Sequence, residues 1–124
     1  MREVYRAMRW MRDRTCVAWV YRKAEKNFVK VKDGSGCVSE SLGASGGEQF
    51  VELGPGCYQY PALVFHELMH AIGFEHLHQR WDRDKYLTIN MSNIEKGLHP
   101  MFQLKENIAA SENITFDYEV CFIN

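Results

Sequence analysis

The chain has 124 residues, of which 46% are apolar and 25% charged, with a formal net charge of -1. That length has room for one small domain with one modest core, and the near-neutral balance gives no reason to expect a nucleic-acid or anionic-membrane partner. No apolar run reaches the length needed to span a bilayer, and the opening "MREVYRAMRWMRDR", with five arginines, is not a secretory leader.

In chain order, residues 2 to 14 predict an amphipathic helix. Val4, Met8 and Met11 share a face, Ala7 and Trp10 flank it, and arginines lie opposite. "CVAWVY" (16–21) is apolar, β-branched and aromatic, so a strand is expected. "NFVKVK" (27–32) alternates apolar residues with lysines, as a half-exposed strand does. "DGSGC" (33–37) is a turn, and the glycine-rich stretch 34–56 is mostly loop, with one further strand at "EQFVEL" (48–53) and a turn at "LGPGC" (53–57).

From Pro61 to Phe74 the pattern is helical. Proline suits the first turn, Leu63, Leu68 and Ile72 face inward with Phe65 a further candidate, and Gly73 is a natural stop. "RWDRDKY" (80–86) reads as a charged loop. "SNIEKGLHPMF" (92–102) holds at most one short helix, broken near Gly97 and Pro100. "ITFDYEVCFIN" (114–124) could begin a strand.

Cys16, Cys37, Cys57 and Cys121 form no C-x-x-C pair, so a cysteine zinc site is not expected. An even count suits disulfides, and four cysteines allow three pairings. Two glycosylation acceptor triplets start at Asn90 and Asn113. Together with the cysteines they favour a secreted protein whose leader lies outside this chain.

The chemistry is concentrated in "HELMHAIGFEH" (66–76). Helical residues four apart stand about one turn, roughly 6 Å, from each other. His66 and His70 therefore project from one face and can hold one ion. Glu67 sits beside that pair, placed to act on a water rather than to ligate. Gly73 tolerates the positive φ that redirects the chain, so His76 can return as a third ligand. Three imidazoles with an open position describe a catalytic zinc site, and the reaction class is hydrolysis of a peptide bond. A chance match to the five fixed positions of this motif is on the order of one in a million for a chain this size. His78 and His99 read as surface or core histidines, the tryptophans as packing residues, and Met8 and Met11 as core.

The motif H-E-x-x-H-x-x-G-x-x-H resembles the metzincin signature. With "RWDRDKYLTIN" (80–90), "GCVSESLGASGGEQFVELGPGC" (36–57) and "RTCVAWVYR" (14–22), the chain resembles the astacin family of zinc metalloendopeptidases over nearly its whole length. The resemblance implies that His66, His70 and His76 ligate one Zn2+, that Glu67 is the catalytic base, and that Cys37 pairs with Cys57. It implies an α+β, metzincin-like fold. The expectation is the N-terminal (upper) subdomain: a twisted mixed sheet, a backing helix and an active-site helix. Residues 1–124 are then expected to form a partial catalytic domain, shortened at both ends and without the Met-turn and the C-terminal subdomain. Cys16 is left free or paired with Cys121. Leu77 stands where the family usually has a glutamate that pairs with the mature N-terminus. The implied partner is a protein or peptide substrate, with neither nucleic acid nor membrane. A non-catalytic zinc-binding module is the alternative function.

Overall fold

The computed structural model describes residues 1–105 and 115–118. The chain divides into two compact units, Met1–Phe74 and Glu75–Asn124.

The first unit opens with α1, Arg2–Arg14, whose buried residues are Val4, Ala7 and Met11. Met8 packs at the edge of this face, while Trp10 is largely exposed and meets Phe65 edge-on at 5.0 Å. Thr15 ends the helix by returning its hydroxyl to the carbonyl of Met11 at 2.7 Å. The strand expected at 16–21 does not form. Val17 and Trp19 pack on the core, while the consecutive Val20 and Tyr21 both stand out in solvent. Among the described residues no neighbouring strand pairs with this stretch. Side-chain type favours a strand, but a strand also needs a partner for its N–H and C=O groups.

Three strands form a mixed sheet in the order β1-β3-β2. β1, Phe28–Asp33, runs parallel to β3, Glu48–Leu53, with Val31 opposite Val51. The short β2, Cys37–Ser39, runs antiparallel to β3, with Cys37 opposite Leu53. β2 falls within the stretch read as turn and loop, because three residues are too few to show an alternating pattern. On β3 the alternation is clean: Gln49, Val51 and Leu53 are buried. On its other face Glu52 accepts from the backbone N–H groups of Ser35 and Gly36 at 3.2 and 3.3 Å, which ties down the turn between β1 and β2. Those two amides hold the Glu52 carboxyl below its usual pKa, Gly36 contributing most.

The turn at 53–57 is the start of a short helix, α2, Pro55–Gln59, with proline in its first turn. Cys57, on α2, is disulfide-bonded to Cys37. Cys16 is an exposed free thiol, and Cys121 lies outside the described residues. The next helix, α3, Pro61–Ala71, stops three residues short of the expected Phe74. Val64, Leu68 and Ala71 are its buried apolar residues, and together with Val4, Ala7, Met11, Val51, Leu53 and Cys57 they make the core. Leu63, expected inside, is 38% exposed, since the inward face runs through Val64 and Leu68 one step around the helix.

In the second unit the described residues form short 3-10 segments at Leu77–Gln79, Arg83–Lys85, Met91–Asn93 and Lys96–Phe102. The last runs through both Gly97 and Pro100, where a break was expected. The stretch 80–86 is not a solvated charged loop. Arg80 is 2% exposed, and Asp82 and Arg83 are buried. The Arg80 guanidinium grips Asp82 through two bonds, Nε to Oδ1 at 2.5 Å and Nη2 to Oδ2 at 2.8 Å. It also lies over the rings of Tyr86 and Phe116. Arg83 donates to the carbonyl oxygens of His78 and Phe102. Burial of these charges is offset by the paired Arg80–Asp82 bonds and the two carbonyls on Arg83, although Arg80 Nη1 has no acceptor among the described residues. His78 is a core histidine, as expected. It is bonded to the Met101 carbonyl, and burial lowers its pKa. Of the strand expected from residue 114, all but 115–118 lies outside the described residues, as does the acceptor residue Asn113.

Candidate metal centre

α3 presents His66, Glu67 and His70 from its buried side, each less than 10% exposed. The one-turn spacing acts as expected: the Nε2 atoms of His66 and His70 lie 2.8 Å apart, with the ring planes at 90°. A crossed pair of rings with converging nitrogens is the arrangement of two ligands on one ion.

The end of the helix explains why a third histidine can join them. The N–H of Gly73 bonds the carbonyl of His70 at 2.9 Å, and the N–H of Phe74 bonds the carbonyl of Met69 at 3.1 Å. These are the two bonds of a Schellman motif, and it requires a residue of positive φ at the position Gly73 holds. Gly73 has φ 105. The chain reverses there instead of climbing away, and one nitrogen from each of His66, His70 and His76 falls within 4.8 Å of the others.

The reversal also orients a ring. His70 Nδ1 lies 2.6 Å from the carbonyl oxygen of Phe74. A carbonyl can only accept, so Nδ1 carries the proton and Nε2 presents its lone pair inward. That backbone contact is the usual companion of a metal-ligating histidine. In a tetrahedral zinc site with Zn–N bonds of about 2.0 Å, ligand nitrogens stand roughly 3.3 Å apart. The observed spacing, from 2.8 Å to at most 4.8 Å, brackets that edge. The donor set of three imidazoles fits zinc.

Among the described residues no hydrogen-bond donor holds the Glu67 carboxylate, although it is buried next to His66. His78 and His99 do not join the cluster; each gives its Nε2 to a backbone carbonyl, of Met101 and Ile94 respectively.

One contributor is invisible in the sequence: the Phe74 carbonyl is backbone, and no side chain announces it.

Two imidazoles one turn apart on a helix and a third past its glycine reversal make the donor set of a metzincin-type metalloprotease framework. The family model for the peptidase family described as Astacin matches residues 1–122, and the chain belongs to that family. It is 41% identical over 98 residues to "Zinc metalloproteinase nas-8" of Steinernema carpocapsae, covering 78% of this chain and 23% of that protein. It is 46% identical over 88 residues to "High choriolytic enzyme 2" of Oryzias latipes, covering 71% of this chain and 31% of that protein. The structure is similar to that of "High choriolytic enzyme 1", a hatching enzyme zinc-protease from the same fish. The TM-score is 0.88 at 34% identity, over 98% of this chain and 60% of that one. The chain thus spans less than a third of these two curated relatives and under two thirds of the solved structure. The expected fold class, α+β with a backing helix and an active-site helix, is borne out.

Proposed function

We propose that the chain serves zinc-dependent hydrolysis of internal peptide bonds, with His66, His70 and His76 as ligands and Glu67 as general base. The convergence of three imidazole nitrogens within 4.8 Å carries this reading. Zinc, when bound, supplies Lewis acidity towards a peptide carbonyl and brings the pKa of water down to ~7. The protein's own groups do the rest. His66 and His70 present their Nε2 atoms from one helical face. The Phe74 carbonyl holds the proton of His70 on Nδ1. Glu67 takes a proton from the attacking water at its carboxylate and delivers it to the nitrogen of the departing amine.

Substrates in this reading are proteins or peptides, and residues 1–124 belong to one peptidase catalytic domain. The family model supports the latter by running through both compact units. The Cys37–Cys57 disulfide, of a kind that persists in oxidising compartments, and the exposed acceptor Asn90 support an extracellular location in this reading. No helix among the described residues is long and apolar enough to cross a membrane.

The deciding experiment uses the folded chain with stoichiometric zinc and a quenched internal peptide. Cleavage that a chelator abolishes and zinc restores is the expected result. Zinc held tightly with no cleavage of any peptide would leave a metal-binding module in place of an enzyme.

A further inference from the structure

Gln49 interrupts the apolar inner face of β3. It is 4% exposed, and the next two inward residues, Val51 and Leu53, are fully buried. A buried amide is tolerated only where its donors and acceptor are used. All of them are. The Nε2 donates to the carbonyl of Gly43 at 3.1 Å and to the carbonyl of Ala71 at 3.3 Å. The Oε1 accepts from the N–H of Ser45 at 3.3 Å.

These partners have one thing in common. Ala71 is the last residue of α3, and its carbonyl is one of those a helix leaves without an intrahelical donor. Gly43 makes a second link to the same helix end, its N–H bonding the carbonyl of His70 at 2.9 Å. Gly43 (φ 69) also packs against the reversal itself. A Cβ built on it would lie 3.4 Å from the Cα of Gly73. The glycine loop, β3 and the carbonyl end of α3 are thus joined by one side chain. The segment they grip, Ala71–Phe74, contains the carbonyl that orients His70.

We propose that Gln49 is a positioning residue for the metal centre. By fastening the Ala71 carbonyl and the Gly43–Ser45 loop together, it sets the Gly73 reversal and, through the Phe74 carbonyl, the ring of His70. This rests on the metal-centre reading above. A purely structural role would cost stability and leave the ligand geometry unchanged. A positioning role changes the affinity and the ligand field as well.

The test compares the wild-type chain with Gln49→Met and Gln49→Glu. Methionine keeps the volume without hydrogen bonds, and glutamate turns an acceptor towards two carbonyls. Zinc affinity is measured by competition with a chelator, and the ligand field by the visible spectrum of the cobalt-loaded protein. Both folded variants are expected to bind zinc at least tenfold more weakly, with an altered cobalt spectrum. In the wild type, adding zinc is expected to slow hydrogen exchange at the Gly43 and Ser45 amides. Variants with wild-type affinity and an unchanged spectrum overturn the proposal, whatever their melting temperature. If neither variant folds, the exchange experiment decides: protection at Gly43 and Ser45 that ignores zinc overturns it. A wild-type chain that takes up no metal sinks the metal-centre reading itself, and that control is read before any variant.

Discussion

The Nδ1 of His70 and the carbonyl oxygen of Phe74 stand 2.6 Å apart, four residues along the chain but on opposite sides of the Gly73 reversal. The same turn that ends the helix holds the His70 ring with its proton on Nδ1, the tautomer that metal binding through Nε2 would need. Helix termination and ligand orientation are therefore one structural event at this position.

Gly73→Ala tests that coupling. At φ 105 an alanine is strained, with a cost of about 1–3 kcal/mol. Among the described residues the added Cβ meets only the Gly43 Cα, at an ordinary 3.8 Å, so the penalty comes from the backbone. The variant should melt lower and bind zinc more weakly than the wild type. Calorimetry and chelator competition read the two effects separately, and unchanged zinc affinity would uncouple the turn from the site.

Glu67→Gln separates binding from turnover. The amide occupies the same buried place beside His66 but cannot take a proton. Zinc content should match the wild type, while peptide cleavage falls by about 10²–10⁴-fold, the usual worth of a general base. His66→Ala should lose the metal as well. Wild-type cleavage by Glu67→Gln, measured as kcat, would remove the glutamate from the mechanism.

Asp82→Asn probes the buried charge of the second unit. Removing the carboxylate strands the Arg80 guanidinium, which is 2% exposed, at a cost on the order of 3 kcal/mol. The bond from Arg80, with the charge behind it, holds the Asp82 carboxyl below its usual pKa. A depressed carboxylate contributes stability that is fully present above its unfolded pKa, about 3.9, and is lost as pH falls through the folded value. Urea titrations followed by tryptophan fluorescence should show a wild-type advantage at pH 7 that shrinks below about pH 4. A gap independent of pH would mean the pair is not the source.

Reducing the Cys37–Cys57 bond releases a loop closed across a sequence separation of 20 residues. Loop-closure entropy puts the loss at about 3 kcal/mol. The double serine variant should show the same drop in denaturation midpoint, with no further effect of reductant. A reductant-sensitive midpoint in the double variant would point to another thiol.

Where the sequence was readable, the signal was local and periodic. α1 showed itself by the recurrence of Val4, Ala7 and Met11, and β3 by Gln49, Val51 and Leu53 on alternate positions. Where it failed, the missing information was a partner. Residues 16–21 have the side chains of a strand, but pairing depends on another segment, and none of the described strands pairs with them. Arg80, Asp82 and Arg83 look like solvent-facing charges until the carbonyls of His78 and Phe102 and the rings of Tyr86 and Phe116 surround them.

The amino-acid order by itself determined the chemical set: two imidazoles one helical turn apart, a carboxylate beside the first, a glycine to reverse the chain and a third imidazole after it. All of that follows from helix geometry and residue type within eleven positions. The tertiary structure alone decided which backbone and side-chain groups hold the set in place, the Phe74 carbonyl and the Gln49 amide above all. Those groups act through hydrogen bonds made on burial, and a buried polar group must find its partner wherever the fold brings one, even from distant sequence.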